Sequence, residues 1–262
     1  MNDFYVGYLP KQPTALARFV RRVAVVLGLL AVGVALLLVR GQGPFASSAF
    51  EFGKVRGFKG VIATQPYPML LVPRSGQTGQ QEPYSRYLLV APGKHGADDL
   101  VAAFEGKPVR LQGQLIYRDG RTMVEIEPGS ITASGAGTKA PDATVDLAAV
   151  TMTGEIVDSK CYLGVMNPGS GKVHRDCAAR CLSGGIPPIF ITAGGREQFL
   201  LVGMDGGALQ RDSLREFIGE PITIQGRLLQ DRGEQLLMVD PRLLRHTPDG
   251  LEAARQTVEP HR

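Results

Sequence analysis

The chain has 262 residues, 44% of them hydrophobic, so it can bury a real core and disorder is not its default. Thirty-three glycines and eighteen prolines, with no tryptophan, favour a turn-rich β protein over a helical bundle. A net charge of +4, spread along the chain, leaves no nucleic-acid footprint, although part of it can sit against anionic lipid.

Residues Val23 to Val39 form an uninterrupted apolar run fenced by Arg22 and Arg40. Its length is at the short end for a membrane helix, and it predicts a single transmembrane anchor over 23–39. The long stretch 1–22, with Lys11, Arg18, Arg21 and Arg22, is unlike a cleaved signal peptide. Cleavage near Ala46-Ser47-Ser48-Ala49 is the alternative and would release a soluble periplasmic protein. Arg40, Lys54, Arg56 and Lys59 on the far side balance the near-side charges. Large C-terminal regions translocate regardless of such a tie, and three of the near-side residues pack directly before the run. The expectation is a single-pass protein of the inner (cytoplasmic) membrane, with 1–22 cytoplasmic and the C-terminal domains periplasmic.

Beyond the anchor, residues 84–128 lie over 196–241 as an internal repeat with one residue of gap. Tyr87-Leu-Leu-Val90 matches Phe199-Leu-Leu-Val202, and the ten residues Phe104–Gly113 match Phe217–Gly226. In each copy a Gly-x-Pro turn leads into alternating apolar positions, Val109, Leu111 and Leu115 or Ile222, Ile224 and Leu228, which is strand periodicity. Arg118-Asp-Gly-Arg121 and Asp231-Arg-Gly-Glu234 read as hairpin turns into return strands. Short helices are expected at Asp98–Phe104 and Asp212–Phe217, and first strands at Gly60-Val-Ile62 and Gly154-Glu-Ile156.

This order of strands, short helix and final hairpin resembles the OB-fold, a five-stranded Greek-key barrel. The resemblance implies a mainly β chain: an N-terminal transmembrane helix, then two tandem OB-like β-barrel domains at 50–133 and 145–245. A polar linker at 134–144 joins them, and 246–262 is a tail. OB-folds serve many functions, so the pattern assigns none. Aromatic residues are 6% of the chain and do not interleave with basic ones, which argues against nucleic acid as a partner.

All three cysteines fall in one window, Asp158-Ser-Lys-Cys161 to His174-Arg-Asp-Cys177-Ala-Ala-Arg-Cys181. Gly60 and Gly154 are 94 residues apart and Tyr87 and Phe199 are 112 apart, so the second copy carries an insertion of eighteen residues, which the window occupies. Function commonly sits on such loops. A helix over Val173–Leu182, stopped by Gly184-Gly185, would place His174, Cys177 and Cys181 on one face. Cys161 from the preceding loop would then complete a Cys3His metal site suited to zinc, copper or part of an iron–sulfur centre. Asp158 is placed to orient one ligand from behind or, as such residues more often do, to cap a turn. The spacing lacks C-x-x-C-H, which argues against covalent haem.

The competing reading is a disulfide from Cys161 to one of the other two cysteines, which an oxidising compartment favours. Thiol exchange is a third, weakened by the lack of C-x-x-C. Tyr162 reads as packing and His95 as solvated surface, while Arg175 and Arg180 read equally as a solvated helix face or as holding an anionic partner beside the cluster. Hydrolase or kinase chemistry has no residues to rest on. One anchor before an external OB-fold resembles the haem chaperone of cytochrome c maturation, but no histidine here has a tyrosine four residues on, as that family's haem-attachment motif requires. The sequence therefore favours a non-catalytic accessory or assembly subunit of a membrane redox or metal-handling system, partnered by another membrane or periplasmic protein. A structural interaction module with a disulfide-stapled loop is the alternative.

Overall fold

The computed structural model of the chain describes residues 13–41, 48–74, 84–135, 144–195, 197–231 and 233–247. Most of the expected linker, 136–143, and of the tail, 248–262, lies outside the described residues, as does 1–12 of the N-terminal segment. The chain divides into two units, Met1–Ala46 and Ser47–Arg262.

The first unit holds one helix, α1 (Thr14–Gly41). It runs past the expected span at both ends, because Thr14-Ala-Leu-Ala-Arg18 and Arg40 carry no helix breaker and Arg40 in the last turn suits the helix dipole. Its 27 residues from Thr14 to Arg40 are long and apolar enough to span a membrane. At about 1.5 Å per residue they reach roughly 40 Å, against a hydrocarbon thickness of about 30 Å.

The second unit is mainly β. Its first half contains β1 (Ser48–Phe50), β2 (Arg56–Ala63), β3 (Met69–Pro73), β4 (Tyr84–Ala91), β5 (His95–Gly96), β6 (Pro108–Arg118), β7 (Arg121–Ile126) and β8 (Thr132–Ala133). Between β5 and β6 lies α2 (Asp98–Val101), which tightens into a 3-10 turn at Ala102–Phe104. Neighbour pairing runs β2-β3-β4-β7-β6 and returns from β6 to β2, so the five strands close into a barrel. All these pairs are antiparallel except β4 with β7.

The second half contains β9 (Thr144–Asp158), β10 (Pro188–Thr192), β11 (Gln198–Val202), β12 (Ile222–Asp231), β13 (Glu234–Val239) and β14 (Arg245–His246). The same order of pairings recurs: β9-β10-β11-β13-β12, with β12 returning to β9 and β11–β13 the parallel pair. In place of the helix expected over Asp212–Phe217 there is a 3-10 turn, Arg211–Leu214. The first strand begins ten residues earlier than the sequence suggests. β9 extends back to Thr144 because the long β12 offers a ladder as far as Asp231, opposite Thr144. Thr132 and Ala133, at the start of the polar stretch, pair with Arg110 and Val109.

The continuous apolar runs of β4 and β11 are explained by burial on both faces. Successive strand side chains point to opposite sides. Leu89 faces the interior of the first barrel with Ile62, Leu70, Val109 and Val124, while Phe199 and Leu201 face the second with Ile156, Phe190 and Leu237. The alternate residues Leu88, Val90, Leu200 and Val202 join a third core that also takes in Tyr67, Met123, Val157 and Ile189. The two strand sets thus share an apolar seam and form one compact unit. Polar pins cross it: Tyr67 Oη donates to Leu201 O (2.6 Å) and accepts from Leu209 N (3.2 Å), and Arg118 donates to Tyr162 O (2.8 Å).

Candidate metal centre

The eighteen-residue insertion begins where β9 ends. Asp158 is the last residue of that strand, and its Oδ1 accepts from the Cys161 backbone N–H (2.8 Å), starting a π-type turn over Cys161–Val165. A short acidic side chain that bonds the backbone a few residues ahead is a usual turn former. The chain then loops to a 3-10 turn at Lys172–His174 and enters α3 (Arg175–Ser183). His174 therefore stands at the helix entrance, not inside a single helix from Val173, because the preceding Gly171 takes a left-handed φ of 75° and turns the chain there. Cys177 and Cys181, four residues apart, share a face of α3.

The three thiol sulfurs lie within 4.8 Å of one another, and Cys161 Sγ is 3.8 Å from Cys181 Sγ. All three thiols are free; Cys161 and Cys181 are buried and Cys177 is half-exposed. Asp158, Cys161 and His174 form a second group of the same tightness, so Cys161 belongs to both. His174 Nε2 is 3.0 Å from Asp158 Oδ2, with both side chains buried. A carboxylate on Nε2 fixes the orientation of the ring. Of the four ligands expected from sequence, the three cysteines converge, and His174 converges instead with Cys161 and Asp158, outside the group of all three sulfurs.

One site residue comes from the other half of the unit. Lys94, in the turn between β4 and β5, places Nζ 2.8 Å from Cys177 Sγ and 3.7 Å from Cys181 Sγ. The approach depends on glycine at the facing position. A Cβ on Gly184 would lie 1.8 Å from Lys94 O, and Gly96 N donates to Gly184 O (2.9 Å). Lys160 holds the same turn from beneath: its buried ammonium donates to Ala91 O (2.9 Å) and Gly93 O (2.6 Å) and pairs with Glu125.

These contacts set the protonation order. Cys181 is held below the usual thiol range, first by the hydrogen bond from Cys161 and then by Lys94, against its own burial. Cys161 is pushed up, first as the donor to Cys181 and then by burial. The hydrogen bond to Cys177 raises Lys94, keeping it charged. Burial raises Glu155, which also accepts from Gly171 N (2.7 Å) on the loop below. Three converging sulfur donors suit a soft metal ion.

The remaining candidates fall elsewhere. Tyr162 is buried, with the Arg118 guanidinium 4.1 Å above its ring. Arg175 pairs with Glu220 (3.1 Å), and His95 and Arg180 are exposed. Lys94 and Lys160 carry no motif of their own. The one hint in the sequence is that Gly93-Lys-His-Gly96 stands where the second copy has Met204-Asp-Gly-Gly207. No family model, curated protein or solved structure matches this chain.

Proposed function

We propose that this is a membrane-anchored accessory or assembly subunit of a redox or metal-handling system, with a single metal ion bound through Cys161, Cys177 and Cys181. His174, oriented by Asp158, is the fourth donor. The convergence of three free thiols within 4.8 Å carries this reading. In a tetrahedral thiolate site with metal–sulfur bonds of about 2.3 Å the sulfurs sit about 3.8 Å apart. The 3.8 Å between Cys161 and Cys181 matches that edge. The close spacing favours one ion over an iron–sulfur cluster, whose sulfur ligands must spread around several irons. The recurring order of pairings, each with a short helical segment before its fourth strand, supports two OB-like domains at 50–133 and 145–245. The long apolar α1 supports anchorage, in the inner membrane with the barrels on the periplasmic side.

The test is metal content. Full-length protein, purified in detergent under reducing conditions and loaded with metal, should hold about one ion per chain. Each of Cys161→Ser, Cys177→Ser and Cys181→Ser should lose most of it, since opening a closed site admits water. Metal retained in all three variants, or no metal bound to a wild type with three titratable thiols, overturns the reading. One observation favours the alternative of a stapled structural module: Cys161 and Cys181 need to close from 3.8 Å to about 2.05 Å to form a disulfide. One titratable thiol per chain in air-purified protein, with no metal uptake after reduction, would establish that module.

A further inference from the structure

Lys94 raises a question of ion charge that the thiols alone do not answer. Its Nζ lies 2.8 Å from Cys177 Sγ and 3.7 Å from Cys181 Sγ, so any ion seated among the three sulfurs sits in the near field of a fixed positive charge. The charge is held there by construction. The buried Lys160 grips the carbonyls of Ala91 and Gly93 just before Lys94, and Gly96 just after it bonds to Gly184 at the end of α3. A protonated lysine has no lone pair and is not a ligand. It compensates the thiolates and repels the ion.

We propose that Lys94 is a specificity-determining residue that biases this three-thiolate centre towards a soft monovalent ion, Cu(I), and away from Zn2+; the proposal rests on the metal-binding reading above. The thiolates are required equally by both ions, so the cost of deprotonating them cancels in the ratio of the two affinities. The repulsion does not cancel: it scales with the charge of the ion, so Zn2+ suffers about twice what Cu(I) does. Thiolate softness suits both ions and therefore leaves the choice to charge and coordination number. Lys94 is an exposed residue, and solvent screening cuts the effect to on the order of tenfold in selectivity.

The experiment uses full-length protein in detergent, reduced and kept free of oxygen. Cu(I) and Zn2+ affinities are measured separately by competition with chromophoric chelators, for wild type, Lys94→Gln and Lys94→Arg. The expected result is a Cu(I)-over-Zn2+ affinity ratio about tenfold lower in Lys94→Gln than in wild type, and nearly restored in Lys94→Arg, which keeps the charge. Both ions bound with a ratio unchanged in Lys94→Gln overturns the role of Lys94 and leaves the metal site standing. Neither ion bound by wild type overturns the metal-binding reading and this inference with it.

Discussion

Replacing Gly184 by alanine tests the packing that assembles the centre. The backbone there has φ −79°, so alanine meets no backbone strain. The new Cβ would lie 1.8 Å from the carbonyl oxygen of Lys94, where contacts under 3.0 Å essentially never occur, so the turn has to retreat by more than an ångström. Forcing extra volume into a packed contact costs about 1–3 kcal/mol. The retreat also breaks the bond from Gly96 N to Gly184 O, worth about 1 kcal/mol. A loss of about 2–4 kcal/mol follows, which in a unit of this size lowers the melting temperature by roughly 5–15 °C. The assay is thermal unfolding of the full chain in detergent, followed by far-ultraviolet circular dichroism. Gly57→Ala is the control, since nothing lies within 4 Å of its Cβ position and the change should be nearly silent. A Gly184→Ala protein that melts with the wild type would refute the close approach of the Lys94 turn to α3.

Lys160→Met should destabilise the chain by about 3–5 kcal/mol, because it leaves Glu125 buried without its partner, whereas Lys160→Met with Glu125→Leu should recover much of that loss in the same melts. Equal losses in the single and double variants would refute the buried pair. Glu155 has its folded-state pKa raised above the ordinary 4.5, first by burial, so its contribution to stability is full below that value and is lost as pH rises through the raised one. Glu155→Gln should therefore gain on wild type as pH goes from about 4 to 7, and parallel stability profiles would contradict the shift. A reporter fused after Arg262 should be active in the periplasm and silent in the cytosol; the reverse would overturn the proposed orientation.

How much of this was legible in the sequence follows from the range of each interaction. The long apolar helix was, because the run from Val23 to Val39 has the composition of a membrane span. The barrel strands were, because Val109-Arg-Leu111 and Ile222-Thr-Ile224 alternate, and because the runs Leu88-Leu-Val90 and Leu200-Leu-Val202 announce strands buried on both sides. What the runs could not reveal is the partner of their second face. That face proved to be the shared seam, and the seam brings Lys94 to the thiols across 83 residues of sequence. The extension of β9 was hidden for a different reason: Thr144 to Ala149 is exposed, so burial left no period to read there, and a ladder to β12 holds it instead. At the site, α3 was announced by Ala178-Ala179 and Gly184-Gly185, but its entrance was not. Gly171 ends the loop and leaves His174 at the junction, turned to Asp158.

The centre itself is tested most directly by X-ray absorption at the metal edge of the loaded, full-length protein, compared with His174→Ala. The expected spectrum shows one ion with three sulfur ligands at about 2.3 Å and one nitrogen at about 2.0–2.1 Å, whereas His174→Ala should lose most of the ion and show no such nitrogen around the remainder. A shell of oxygen and nitrogen without sulfur, or scattering from a second metal at short range, would contradict a single ion held by Cys161, Cys177 and Cys181.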